Sequence, residues 1–239
     1  MRTTTKAIVL SSLKYGDSSL IVRAYTESDG LKSYLLKGVL SSRKGKVKAA
    51  YFLPLMQLEL VANHRNKGSL EHLSEVRVSV PYQSLHTEQP KNSLVLFLAE
   101  MLGNSIQEQQ RDPALFRYLE YALQWLDTHG LSPDFHILFL LNLSRYLGFY
   151  PDTRLMEAPY FDLQEGEFCI TPSLNPLIEG ELLGHFRAFL GVEFEALDSI
   201  KPGRAVRGKL LQRMILYYKL QLHGFREPKS LAVLSAVFG

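Results

Sequence analysis

Lys37-Gly38-Val39-Leu40-Ser41-Ser42-Arg43-Lys44-Gly45-Lys46-Val47-Lys48 carries five cations and no acid. It separates two groups of strand-like segments, and that placement decides the fold. Before it, Lys6–Leu13 is rich in β-formers and Ser18–Thr26 alternates around Leu20, Val22 and Ala24. Leu31–Val39 follows Ser28-Asp29-Gly30, a strong turn signal. After it, Leu55–Val61 alternates, with Leu55, Gln57, Glu59 and Val61 on one face and Met56, Leu58 and Leu60 on the other. Asn63–Gly68 is a polar turn and Ser69–Val80 a fifth strand candidate. Five strands in 80 residues around a long basic connection predict a small closed β-barrel.

The periodicity changes near Pro81, and Pro81 and Pro90 bracket a linker or short helical turn. Ser93–Gln107 repeats apolar residues at helical spacing. Asp112-Pro113 and Ser132-Pro133 each read as an N-cap followed by proline at the first helical position. The helix over Phe135–Leu147 is apolar nearly all round, so it is expected at the centre of a core, ending at Gly148. Residues 158–177 break the helical pattern and predict a β-hairpin in which Phe161, Phe168 and Ile170 pack inward. Helices resume over Glu179–Leu190, over Gly203–Leu222 and from about Lys229. The expected architecture is α+β: residues 1–80 as the barrel, and residues 81–239 as an α-helical domain with an inserted hairpin near 158–173.

Hydrophobic residues make up 46% of the 239, enough for a sizeable core. The longest apolar runs are far too short to span a bilayer, and no signal peptide is expected. The single cysteine, Cys169, excludes an internal disulfide, so a cytoplasmic protein is expected. Residues 1–80 hold 13 Lys/Arg against 6 Asp/Glu, a net +7 in a chain of net +3, which leaves −4 for the remainder. This asymmetry points the first part at a polyanion.

Within that part, Lys37, Arg43, Lys44, Lys46 and Lys48 are the expected phosphate contacts, with Arg65 and Lys67 in another inter-strand turn extending the face. Gly38 and Gly45 permit close backbone approach, and Ser41 and Ser42 can donate to phosphate oxygens. A solvated loop without a ligand is the competing reading. Tyr15, Tyr25, Tyr34, Tyr51 and Phe52 could stack on bases or fill the core.

The seven histidines show no metal spacing, and no HExxH, CxxC, GxSxG or phosphate-loop pattern occurs. No catalytic residue, metal or cofactor is therefore expected. In the last long helix, Arg204 and Arg207 lie beside Leu211 and Met214; a cation next to an apolar groove can hold a peptide's terminal carboxylate, or it can form a structural ion pair.

Ala7-Ile8-Val9-Leu10, Tyr15, Ser18, Leu20-Ile21-Val22, Tyr25-Thr26, Gly30 and Lys37-Gly38 resemble the RecO family of recombination mediators. So do Pro54-Leu55, Leu140-Leu141 with Tyr146-Leu147-Gly148-Phe149-Tyr150-Pro151, and the C-terminal Tyr217-Tyr218, Gly224, Lys229-Ser230-Leu231 and Val233-Leu234. The resemblance implies an oligonucleotide-binding (OB-fold) barrel before a helical domain. It also implies binding of single- and double-stranded DNA, annealing of complementary strands, and loading of recombinase onto strands coated with single-strand-binding protein (SSB). RecR and the SSB C-terminal tail are the implied partners. Many members carry two CxxC pairs after the helix that ends here at Gly148. This chain has only Cys169 there, so a hairpin is expected in place of the zinc module. A protein-binding adaptor and a small nucleic-acid-processing enzyme are the competing classes.

Overall fold

The computed structural model describes residues 2–41, 47–64, 70–106 and 110–238. By packing, the chain forms two compact units, Met1–Asp127 and Thr128–Gly239.

In the first unit, β1 (Arg2–Tyr15) is the organising strand. Its C-terminal part pairs with β2 (Ser19–Thr26) and its N-terminal part with β4 (Gln57–Asn63). The two ladders overlap only at Ala7 and Ile8, and a register shift between Val9 and Ser11 marks a bulge that bends the strand. With β3 (Gly30–Leu36) and β5 (His72–Val80) the sheet runs β3-β2-β1-β4-β5, all antiparallel. The bent sheet brings its two edges together. Leu35 donates its amide to the Glu71 carbonyl (3.0 Å) and Glu71 to that of Ser33 (2.8 Å), a parallel bridge at Tyr34 and Glu71. Among the described residues this single bridge is what joins the edges, not a continuous seam. Val9, Val22, Tyr34, Phe52, Leu58 and Leu60 fill the interior.

The strand boundaries follow backbone chemistry that alternation does not carry. β3 stops at Leu36 rather than Val39, because Gly38 turns the chain at φ +70°. β4 starts at Gln57 rather than Leu55. Leu55 sits at φ +61°, held by its amide donating to the Val9 carbonyl (2.7 Å) and by its own carbonyl accepting from the Tyr82 hydroxyl (3.0 Å). His64, at the end of β4, has two partners: Tyr34 Oη lies 2.8 Å from Nε2, and an Asp29 carboxylate oxygen 2.7 Å from Nδ1. A carboxylate only accepts, so Nδ1 carries the proton and, in the neutral ring, Nε2 accepts from the tyrosine.

Two helices belong to the same unit. α1 (Gln89–Ser105) starts four residues before the expected Ser93, with Pro90 inside its first turn rather than in a linker. α2 (Pro113–Thr128) begins as expected, the Asp112 carboxylate accepting from the amides of Ala114 (2.9 Å) and Leu115 (3.0 Å). Both are tied to the sheet and to the chain that leaves it. Arg23 on β2 donates to the carbonyls of Gly103 and Ile106, capping α1. Tyr25 stacks on Phe116. Buried Asp127 accepts from the amides of Gln83, Ser84 and Leu85, while buried Lys91 donates to Ser84 Oγ and the Asp127 carbonyl. The switch from strands to helices thus comes near residue 81, as expected, but packing divides the chain at 127/128.

The second unit is built on α3 (Phe135–Tyr146), which is buried over most of its circumference. It begins at Phe135 as expected, but the Ser132-Pro133 signal does not cap it: Ser132-Pro133-Asp134 forms a turn, with Phe135 donating its amide to the Ser132 carbonyl. The Asp134 carboxylate is drawn instead to Arg207 on α5 (Arg204–Gln221), 2.6 Å away. Arg207 also donates to the carbonyls of Phe238 (3.1 Å) and Pro202 (3.3 Å), tying α6 (Leu231–Phe238) to the start of α5. Burial raises the Asp134 carboxyl above its ordinary value despite the guanidinium beside it. Burial, reinforced by Arg207, holds His136 neutral with a pKa lowered to about 3.

The expected hairpin is present as β6 (Tyr160–Asp162) and β7 (Glu167–Cys169), with a third strand, β8 (Leu177–Glu179), on the other side of β6. α4 (Gly180–Ala188) follows directly. Phe161 packs on Phe168, Phe186 and Tyr217, but Ile170 does not pack inward. It is 71% exposed, because β7 ends at Cys169 and the alternation ends with it. Buried Asp162 closes the module, accepting from the amides of Gln164 and Glu165, from Ser173 Oγ (2.5 Å) and from Asn175 Nδ2.

Two predictions come from these buried carboxylates. Burial alone would raise the Asp162 carboxyl, but the donors from Ser173, Glu165, Asn175 and Gln164 outweigh it and hold it below the ordinary 3.8. A depressed folded-state pKa gives stability that is complete above the unfolded value and is lost as pH falls through the folded one. Asp162→Ala should cost about 2–3 kcal/mol in denaturant unfolding at neutral pH. Asp162→Asn should flatten the loss of stability below about pH 4. For the second carboxylate, Arg207→Ala strands a buried charge and should cost about 3–5 kcal/mol. Arg207→Ala with Asp134→Ala should cost less than Arg207→Ala alone, and a double-mutant cycle measures the difference.

Candidate nucleic-acid interface

Past the Tyr34–Glu71 bridge, β3 and β5 part. Between them lies a cleft of about 420 Å³ walled by Leu35, Leu36, Val39, Val47, Leu73 and Val76. Polar groups on its walls come from Lys37, His72, Ser74 and Glu75, the last paired with Arg2 at 3.0 Å. The basic segment is rooted here. Lys37 is exposed on the rim. The Leu40 amide donates to the Ser18 carbonyl (2.9 Å), and Ser41 Oγ to the Gly38 carbonyl (3.1 Å). At the other end Val47 packs against the sheet core, and Lys48 is exposed just before a 3₁₀ turn, Ala49–Phe52. Arg43, Lys44 and Lys46 lie between these two roots, outside the described residues, as do Arg65 and Lys67 between β4 and β5.

Four other cations of the sheet are engaged with acids or carbonyls. Arg2 pairs with Glu75, Lys6 with Glu120 (2.8 Å) and Arg77 with Glu59 (2.6 Å), while Arg23 caps α1. The Glu120 carboxylate raises the Lys6 ammonium above its ordinary value. Among the described residues 2–80, exposed Lys14, Lys37 and Lys48 stand outside any ion pair. Of the candidate stacking residues, Tyr25, Tyr34 and Phe52 are core, Tyr51 is half-buried, and Tyr15 is 56% exposed.

The α5 candidates fall out differently. Leu211 and Met214 are core side chains. Arg207 has the geometry of a structural ion pair, its guanidinium divided among Asp134, Phe238 and Pro202, and Arg204 donates to the Ala236 carbonyl at 3.5 Å. Sequence reading missed the β5 wall of the cleft, Lys14, and the Tyr34–His64–Asp29 chain. Only the alternation of Leu73, Glu75 and Arg77 against Ser74, Val76 and Val78 hinted at the first. Among the described residues no group of three or more His, Cys, Asp or Glu is placed to hold a metal, and no helix is long and apolar enough to cross a membrane.

Comparison with known families divides the chain much as the periodicity does. Residues 1–82 match the family described as recombination protein O N terminal, and residues 87–232 the one described as recombination protein O C terminal. A protein of Christiangramia forsetii named DNA repair protein RecO is 52% identical over 98% of both chains. Its namesake in Flavobacterium johnsoniae is 44% identical over the whole of both, and that in Bacteroides fragilis 36% identical over 98% of both. These names give a role in repair and no enzymatic activity. With both family matches in order and identity sustained along the full length, the chain belongs to the RecO family of DNA repair proteins.

Proposed function

We propose that this chain is a recombination mediator that binds single- and double-stranded DNA. In this reading it anneals complementary strands and helps load recombinase onto SSB-coated DNA, without catalytic residue, metal or cofactor, in the cytoplasm. Residues 1–80 act as an OB-fold nucleic-acid-binding domain, and residues 81–239 supply partner contacts. One observation carries the reading: a five-cation segment without an acid has both its ends on the lining of an apolar cleft, in a sheet whose other cations are largely engaged.

Phosphates need cations; the basic segment contains no acid of its own, and Lys37, Arg43, Lys44, Lys46 and Lys48 are the proposed contacts, with Arg65 and Lys67. Backbone contacts of this kind position a strand without reading its sequence, as a mediator requires. The same cations let two polyanionic strands approach each other for annealing. RecR and the SSB C-terminal tail are the partners that family membership suggests. For the tail, exposed Arg204 at the start of α5 remains the proposed contact, since Leu211 and Met214 are buried in the core. A carboxylate could reach Arg207 only by exchanging with Asp134.

Changing Arg43, Lys44, Lys46 and Lys48 together to Ala tests the site. DNA affinity should fall, and the slope of log affinity against log salt should shrink by roughly 0.7 for each phosphate of a single strand that is no longer neutralised. The weakening should be alike for unrelated sequences, and annealing should slow. Thermal unfolding should stay within about half a kcal/mol of the parent. A variant lacking four lysines or arginines from residues 128–239 is the control. Parent-like binding by the loop variant would assign the segment to solvent and favour a protein-binding adaptor.

A further inference from the structure

Leu13 on β1 is registered with Ile21 on β2, and Ile21 with Leu35 on β3. Residues paired across an antiparallel sheet share a face, so these three form one row. Tyr15, two residues beyond Leu13, shares that face by alternation. It is the outward face, since the neighbouring row contains Leu20 and Leu36 of the interior. α1 and α2 engage the other end of this face through Arg23 and Tyr25, and the row Leu13–Ile21–Leu35 lies beyond them. Leu13 is 65% and Tyr15 56% exposed, while Ile21 and Leu35 are partly so.

An open apolar strip on a sheet face needs an occupant, and the surroundings select one. At one end Leu35 is also a wall of the cleft that carries Lys37 on its rim. At the other, Tyr15 follows exposed Lys14, and the Ser18 carbonyl holds Leu40 at the root of the basic segment. The strip crosses two strand spacings, roughly 10 Å, from a cationic cleft to an exposed aromatic ring. Cations beside an apolar and aromatic track suit a polymer with anionic links and flat apolar faces on a flexible backbone. That describes a single-stranded nucleic acid with unstacked bases, and it excludes a duplex, whose bases already stack on one another.

We propose that Tyr15 is a base-stacking residue, the end of a track over Leu13, Ile21 and Leu35 that gives this chain preference for single strands. The inference rests on the DNA-binding reading above and goes beyond it, because the basic segment alone grips any polyanion. Phosphate contacts set the salt slope, whereas stacking sets the difference between strands with and without bases.

The full chain is titrated with three labelled probes at two salt concentrations: an oligothymidine, an abasic strand of the same length, and a duplex. The parent should bind the oligothymidine more tightly than the abasic strand. Tyr15→Ala should reduce oligothymidine affinity by roughly tenfold, leave abasic affinity unchanged and leave the salt slope intact. Tyr15→Trp should keep the preference, and its fluorescence should be quenched by the oligothymidine but not by the abasic strand. Equal parental affinity for the two strands overturns the proposal. So does a Tyr15→Ala variant that keeps the parental preference, which would make the strip a protein-docking face. A parent that binds none of the three probes overturns the DNA-binding reading itself.

Discussion

The joint between Tyr34 and Glu71 is the constraint on which the N-terminal unit depends. A bent five-stranded sheet presents two edges of unpaired backbone groups, and each buried edge group left without a partner is costly. One parallel bridge satisfies both edges at one level only. Below it the tyrosine hydroxyl is buried and requires an acceptor, which His64 supplies; the histidine in turn requires one, and Asp29 supplies it. The β2–β3 turn, the end of β4 and the sheet closure are therefore one polar chain. Above the bridge nothing comparable holds β3 to β5 among the described residues, and the edges part to leave the cleft. The cleft is a consequence of how little closure the fold has, and the basic segment begins and ends where the closure fails.

Each unit also holds a buried charge cluster. In one, Asp127 and Lys91 knit the chain leaving the sheet to α1 and α2; in the other, Asp134 and Arg207 join the starts of α3 and α5 to α6. Buried ion pairs recover their desolvation cost only when their remaining donors and acceptors are also bonded. Asp127 accepts three backbone amides, and Arg207 reaches two carbonyls besides its carboxylate. What such clusters fix is geometry rather than net stability, since apolar residues of similar volume would hold the helices without setting their register.

Much of this fold was legible in the sequence. Period-2 alternation located β2 and β4, β-former content located β1, turn signals located β3 and β5, and helical spacing with Asp112-Pro113 located α2, because there the local signal and the packing agree. The failures occurred where a distant group overrides a local rule. Leu55 breaks an alternating run because the bulge on β1 offers it a carbonyl. Ser132 does not cap α3: Ser132-Pro133-Asp134 forms a turn, and Asp134 at the helix start pairs with Arg207, 73 residues later. β8 has three residues and no alternation to display. Of the site, the cations were legible as composition; the cleft was not, since it needs β3 and β5 to meet and then separate. The choice among Tyr15, Tyr25, Tyr34, Tyr51 and Phe52 was equally closed to sequence, because core and surface tyrosines share the same strand pattern.

The charge count of +7 over residues 1–80 acquires a location once the pairs are drawn. The cations on β1 and β5 that could have spread the positive field over the sheet are cancelled locally by Glu75, Glu120 and Glu59. Arg23 is held by helix carbonyls, and Lys32 is buried. Among the described residues of the sheet and its connections, exposed Lys14 at the β1–β2 tip and Lys37 and Lys48 at the two ends of the basic segment stand outside any ion pair. Opposite charges a few ångströms apart present only a dipole beyond about 10 Å at ordinary ionic strength, whereas like charges crowded into one loop keep their field. In the proposed reading the pairs on the sheet serve the interface as well as the fold: they mute the cations of β1 and β5 that they engage, and so favour the basic segment as the place a polyanion meets.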